Sequence, residues 1–143
     1  MKKVALCLMI LSLASIACIQ NPAPEMLKSI NIAREEAGLE ALAFSDSLAQ
    51  VARGHAEDMI ANNFFGHVSP TTRTLASRLR AAGISFEKSG ENLAGDSSVS
   101  NAFKLWMGSS SHKGNVLGDF NEVGIAVVKG GPYGYMIVAV FAR

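Results

Sequence analysis

The run YMIVAVF at residues 135–141 constrains the fold more than any other stretch of the chain. From Ile137 to Phe141 it is apolar without interruption. A strand with one face in water alternates apolar and polar residues, and a strand covered on both faces does not. The run therefore reads as a central strand with packing on each side. A second strand-like run at 123–128 precedes it, and KGGPYG between the two is a hairpin connection. Upstream the periodicity is helical. Met26, Leu27, Ile30, Ala33 and Ala37 share one face, with Gly38 as the stop. Ser45 or Asp46 can cap a second helix, whose apolar face holds Leu48, Val51, Ala52, His55, Met59 and Ile60, and Asn62 and Asn63 close it. Residues 71–82 predict a third helix, ending at Gly83. Residues 85–95 contain glycine and read as irregular, with room for one short strand. Ser97 or Ser98 can cap a fourth helix running to Met107. Helices first and a closing hairpin last predict an α+β domain, with helices packed on an antiparallel sheet.

The N-terminus reads as something other than fold. Lys2 and Lys3 precede an apolar run at 4–17 that is too short to span a bilayer but suits a secretory signal. SIAC at 15–18 permits ordinary cleavage before Cys18. It also resembles a lipobox with Ser15 where an aliphatic residue is usual, and lipidation of Cys18 would anchor the product to a membrane. The expected organisation is a signal at 1–17, a short linker at 18–24 and one domain at 25–143. Cys7 and Cys18 are the only cysteines, so this domain carries no disulfide and no thiolate-bound metal. Without Lys2 and Lys3 the thirteen basic residues fall to eleven, against twelve acidic ones. With no basic cluster, nucleic acid is excluded as a partner.

The three histidines carry the chemistry. HAEDM at 55–59 looks like the H-x-E half of a zinc deaminase, but the cysteine half is absent. His55 also falls on the apolar face of its helix, which predicts a packed histidine with a hydrogen-bond partner, with Glu57 and Asp58 on solvated faces. His67 follows the second helix in NNFFGH, where Phe64 and Phe65 can bury the loop. Glu91 sits between glycines in SGENLAG, and His112 follows three serines in WMGSSSHKG. Those serines do not form a G-x-S-x-G elbow, which argues against a serine hydrolase. His67, Glu91 and His112 fall in segments expected to be irregular, at element ends. Two imidazoles and a carboxylate suit a divalent cation, zinc first, with an open position, or acid–base work on a bound water.

The segments HAEDMIANNFFGHVSP, RLRAAGI, GENLAG, WMGSSSHKGNVL, EVGIAVV and YMIVAVFA occur in the order seen in bacterial CAP (SCP-like, YkwD-type) domains, and the resemblance covers roughly residues 25–143. It implies a three-layer α-β-α sandwich with a central antiparallel sheet, and secretion. It also implies a surface cleft of two histidines and two glutamates that binds a divalent metal in some members. By motif the cleft residues are His67, Glu91 and His112, and His55 is not among them. The second glutamate of many eukaryotic members, three residues after the tryptophan, is Ser109 here. Three ligands remain unless water or Ser109 completes the shell; Glu122 is a weaker substitute.

These features imply an exported domain that binds a small ligand, lipid or cell-wall component through its cleft, with or without a divalent cation. Two alternatives stand beside it. One is a metal-dependent hydrolase at the cell envelope, with Glu91 as ligand or general base. The other is an interaction module whose cleft is vestigial.

Overall fold

A computed structural model describes residues 21–143. The expected signal, Cys7 and Cys18 lie outside the described residues. The chain runs α1 (Ala23–Glu36), β1 (Ala43–Phe44), α2 (Asp46–Ala61), α3 (Leu75–Ala81), β2 (Ser89–Asp96), α4 (Val99–Gly108), α5 (Ser110–Val116), β3 (Glu122–Lys129) and β4 (Tyr135–Ala142). Helix α1 begins inside the expected linker, with Pro24 in its first turn, where a missing N–H costs nothing.

The four strands form one sheet in the order β1-β3-β4-β2. Strand β4 is central, as its unbroken apolar run requires. Its residues alternate between two cores. Ile137, Ala139 and Phe141 face α1, α4 and α5, while Met136, Val138, Val140 and Ala142 face α2 and α3. The domain is therefore a three-layer α-β-α sandwich. The sheet is not purely antiparallel: β1, only two residues long, pairs parallel to β3, whereas β2 and β3 run antiparallel to β4. At Gly124 of β3 the start of α2 lies directly on the strand. A Cβ there would overlap the backbone at Leu48 and Ala49, so only glycine fits.

Three expectations are corrected. The segment read as irregular, with room for one short strand, is mostly β2, a full eight-residue strand paired with β4 along its whole length, from Ser89↔Ala142 to Asp96↔Tyr135. Its two glycines lower strand propensity, and pairing with β4 overrides that. The third helix starts at Leu75 rather than Thr71, because Thr74 caps it by accepting from the Ser77 amide at 3.3 Å. A fifth helix, α5, follows α4 directly. Ser109 between them is extended (φ −107°, ψ 124°), so the chain bends there and His112 becomes helical.

Arg34 locks the far end of α5. Buried in α1, it donates from Nη1 to the carbonyls of Val116 (3.0 Å) and Gly118 (2.8 Å), and from Nε to Glu40 (2.8 Å). The Val116 carbonyl ends α5, where the helix itself offers it no partner.

Candidate functional site

Strand β2 is an edge strand, and such an edge presents unpaired backbone groups unless something covers it. Here α4 and α5 cover it. Trp106 donates its indole N–H to the Leu93 carbonyl at 2.9 Å. Asn115 donates to the Glu91 carbonyl at 3.2 Å and to Oδ1 of Asn92 at 2.8 Å. Asn92 in turn donates to the His112 carbonyl at 3.0 Å. Opposite faces of one strand thus serve two purposes. Asn92 points with Ala94 toward α4 and α5 and holds the backbone of His112. Glu91 points with Leu93 toward α2 and α3.

The Glu91 side chain is only 3 % exposed and both its oxygens are engaged. Oε1 lies 2.9 Å from Nδ1 of His67. Since a carboxylate can only accept, Nδ1 carries the proton. Oε2 accepts from Nη2 of Arg78. The His67 side chain is 56 % exposed, and Nε2 is the ring nitrogen not committed to Glu91. The same Arg78 uses Nη1 to donate to the carbonyls of His67 and Arg73, both at 3.1 Å. One buried guanidinium therefore holds the loop after α2 at two carbonyls and the carboxylate from β2.

His55 packs beneath that loop. It is fully buried, and its Nε2 lies 2.9 Å from the Gly66 carbonyl and 3.9 Å from Oε1 of Glu91. A carbonyl only accepts, so Nε2 carries the proton. Nδ1 is then a buried lone pair with no partner among the described residues. Burial pushes the His55 pKa below the ordinary histidine value, against the opposing pull of Glu91. His55 is a packed histidine that supports the His67 loop. Asp58, expected on a solvated face, is instead the anchor of that loop. It accepts from Ser69, from Thr71 at 2.9 Å and from Asn62 at 2.6 Å. Burial would raise its pKa, but these hydrogen bonds prevail and hold it below the usual carboxylate value.

His112, half-buried on α5, has its pKa lowered first by burial and then by the nearby charge of His67. Among the described residues, no group of three His, Cys, Asp or Glu side chains is arranged to hold a metal ion. Glu122 opens β3, two strands away from β2, and is not brought to this edge. Ser109 and Ser111 face each other at 3.2 Å, and among the described residues Ser109, Ser110 and Ser111 hydrogen-bond no histidine. The groove of about 490 Å³ between α2 and α3 is bordered by His55 and Arg78, but His67, Glu91 and His112 do not line it.

Arg78, Asn92 and Asn115 were not singled out in the sequence. For Arg78 a signal exists: it lies three residues after Leu75 and beside Leu79, on the apolar side of its helix, where an arginine needs a buried partner. The two asparagines gave none.

The sequence model of the CAP family, described as the cysteine-rich secretory protein family, matches residues 27–141. The uncharacterized protein YkwD of Bacillus subtilis is 32 % identical over 109 residues, which are 75 % of this chain and 42 % of that protein. Among solved structures, an extracellular protein containing a SCP domain from Bacillus anthracis superposes with a TM-score of 0.77 at 34 % identity, over 85 % of this chain and 40 % of that one. An outer surface protein from Borrelia burgdorferi has the same fold, with a TM-score of 0.78 at 23 % identity, over 84 % of this chain and 90 % of that one. The chain spans less than half the length of the two Bacillus relatives. The match over nearly the whole described domain, with the fold and the ordered motifs, makes this chain a member of the CAP family.

Proposed function

We propose that this domain works outside the cytoplasm as a binding module, with His67 and His112 presented together to a small ligand or envelope component. The observation that carries this reading is the His67–Glu91 pair. A buried carboxylate fixes the ring of an exposed imidazole through Nδ1 and leaves Nε2 clear of that contact. That is the arrangement of a histidine prepared to engage a ligand, and among the described residues no hydroxyl is hydrogen-bonded to its ring. Export is supported by the signal-like N-terminus and by the extracellular and surface proteins among its structural neighbours. No helix among the described residues is long and apolar enough to cross a membrane. Anchoring through a lipidated Cys18 belongs to the same proposal.

The donor set fits a divalent cation in one way. His67 and His112 would hold it through ring nitrogens, and Glu91 would orient His67, as outer carboxylates do for metal-bound histidines. Both Glu91 oxygens are already engaged, so the carboxylate suits orientation better than ligation. When bound, the cation would supply a Lewis-acid contact to the ligand.

The purified domain, probed by thermal shift against zinc, anionic and neutral lipid vesicles and isolated cell-wall fractions, tests this reading. Stabilisation by at least one probe, abolished by His67→Ala, is expected. No response to any of them counts against it. The dyad also favours a second reading, a metal-dependent envelope hydrolase, because a carboxylate-oriented imidazole can act as a general base. Turnover unchanged in both His67→Ala and His112→Ala would remove the site from that chemistry.

A further inference from the structure

We infer that Arg78 is the positioning residue of this site: it decides which nitrogen of His67 meets the ligand, and so which ligand chemistry the site accepts. The inference rests on the binding reading above. Arg78 reaches His67 from two directions. Through Nη1 it grips the main-chain carbonyl of His67 and that of Arg73, which closes the turn that follows. Through Nη2 it pins Oε2 of Glu91, whose other oxygen takes the Nδ1 proton of His67. Backbone and ring are therefore set by one planar group, a task for which a lysine, with a single point charge on a flexible stem, is no substitute.

Stability alone does not explain this residue. The Arg78 side chain is 5 % exposed, and its Nε–H is buried without a partner among the described residues. An apolar residue packed beside Leu79 would avoid both the desolvated charge and the orphaned donor. What it could not do is hold Glu91 aimed at His67. The consequence is chemical. With Nδ1 committed, Nε2 of His67 is an acceptor, so the site takes a cation or a group that donates an N–H or O–H. A ligand that offers only acceptors, such as a bare phosphate or carboxylate, finds no donor on a ring held in this tautomer.

Long-range ¹H–¹⁵N spectra of the imidazoles, recorded on the folded, metal-free protein at mildly alkaline pH, test the inference without any ligand. Wild type should show His67 mainly as the Nδ1–H tautomer, opposite to the preference of a free imidazole. Separate, slowly exchanging Nη signals are expected for Arg78. Arg78→Gln should move His67 to mainly Nε2–H, and Arg78→Lys should restore the wild-type ratio only in part. Three results overturn the proposal: an Nε2–H majority in wild type, a single averaged Nη signal for Arg78, or a folded variant with the wild-type ratio. If Arg78→Gln does not fold, Arg78→Lys and the two wild-type signals decide. Because no ligand is present, failure here is separable from failure of the binding reading, which the thermal-shift panel reports.

Discussion

Asn115 of α5 donates to the main-chain carbonyl of Glu91 at 3.2 Å, so the helix that carries His112 and the strand that carries the site carboxylate meet at one hydrogen bond. Its side chain also satisfies Asn92, which holds the His112 carbonyl. Asn115→Ala should cost on the order of 1–2 kcal/mol in chemical denaturation. It should also weaken ligand binding, although His112 itself is intact. Gly90→Ala should do the same by another route, because its Cβ would fall 2.6 Å from Oδ1 of Asn115 and displace it. A Gly90→Ala variant with wild-type stability and unshifted His112 resonances would contradict this account of the covered edge.

The loop that carries His67 is anchored at its far side by Asp58. Asp58→Ala removes the acceptor shared by Ser69, Thr71 and Asn62. A loss of roughly 1–3 kcal/mol is expected, with faster amide exchange across residues 67–73. The folded pKa of Asp58 lies below its unfolded value. Its contribution is therefore present above about pH 4 and lost as pH falls through the lower folded value. A stability profile in which Asp58→Ala and wild type stay parallel below pH 4 would refute the assignment.

A separate pH window belongs to the histidines. His55 and His112 both have folded pKa values below the ordinary one, chiefly through burial. The folded state then binds their protons less readily than the unfolded chain. Stability should be level above about pH 6.5 and decline as pH falls from there toward the folded values. Melting followed by Trp106 fluorescence checks this. His55→Gln keeps a donor for the Gly66 carbonyl and does not titrate, so it should flatten one part of the decline. His112→Asn should flatten the other.

Gly124→Ala places a Cβ against the backbone of Leu48 and Ala49 at the start of α2. Neither partner is a flexible side chain that can yield. Loss of about 3 kcal/mol or more, or failure to fold, is expected. A soluble variant with an unchanged melting temperature would mean that α2 does not lie on β3 as described.

Much of the architecture was legible because it rests on periodicity. The apolar run at 137–141 announced a central strand, and the 3.6-residue spacing of Leu48, Val51, Ala52, His55 and Met59 announced α2 and made His55 a packed residue. What was hidden depends on distant partners. Strand β2 contains Gly90 and Gly95 and is a strand because β4 lies beside it. Short β1 likewise exists only against β3, and α5 is seven residues long and begins in a serine run. In the site, His67, Glu91 and His112 were visible as residue types in suggestive segments. Their division of labour was not. That Glu91 faces Arg78 as well as His67, and that Asp58 faces the loop, follows from strand parity and helix placement, which spacing along the chain does not reveal.

The central claim is that His67 and His112 serve one ligand while Glu91 orients the first of them. Calorimetric titration of the metal-free domain with zinc tests it most directly. The account predicts a single site in wild type, lost in His67→Ala and in His112→Ala, and weakened by about tenfold to a hundredfold in Glu91→Gln, as for other carboxylates that orient a metal-bound histidine. No zinc uptake by wild type, or uptake that survives both alanine substitutions, would contradict it.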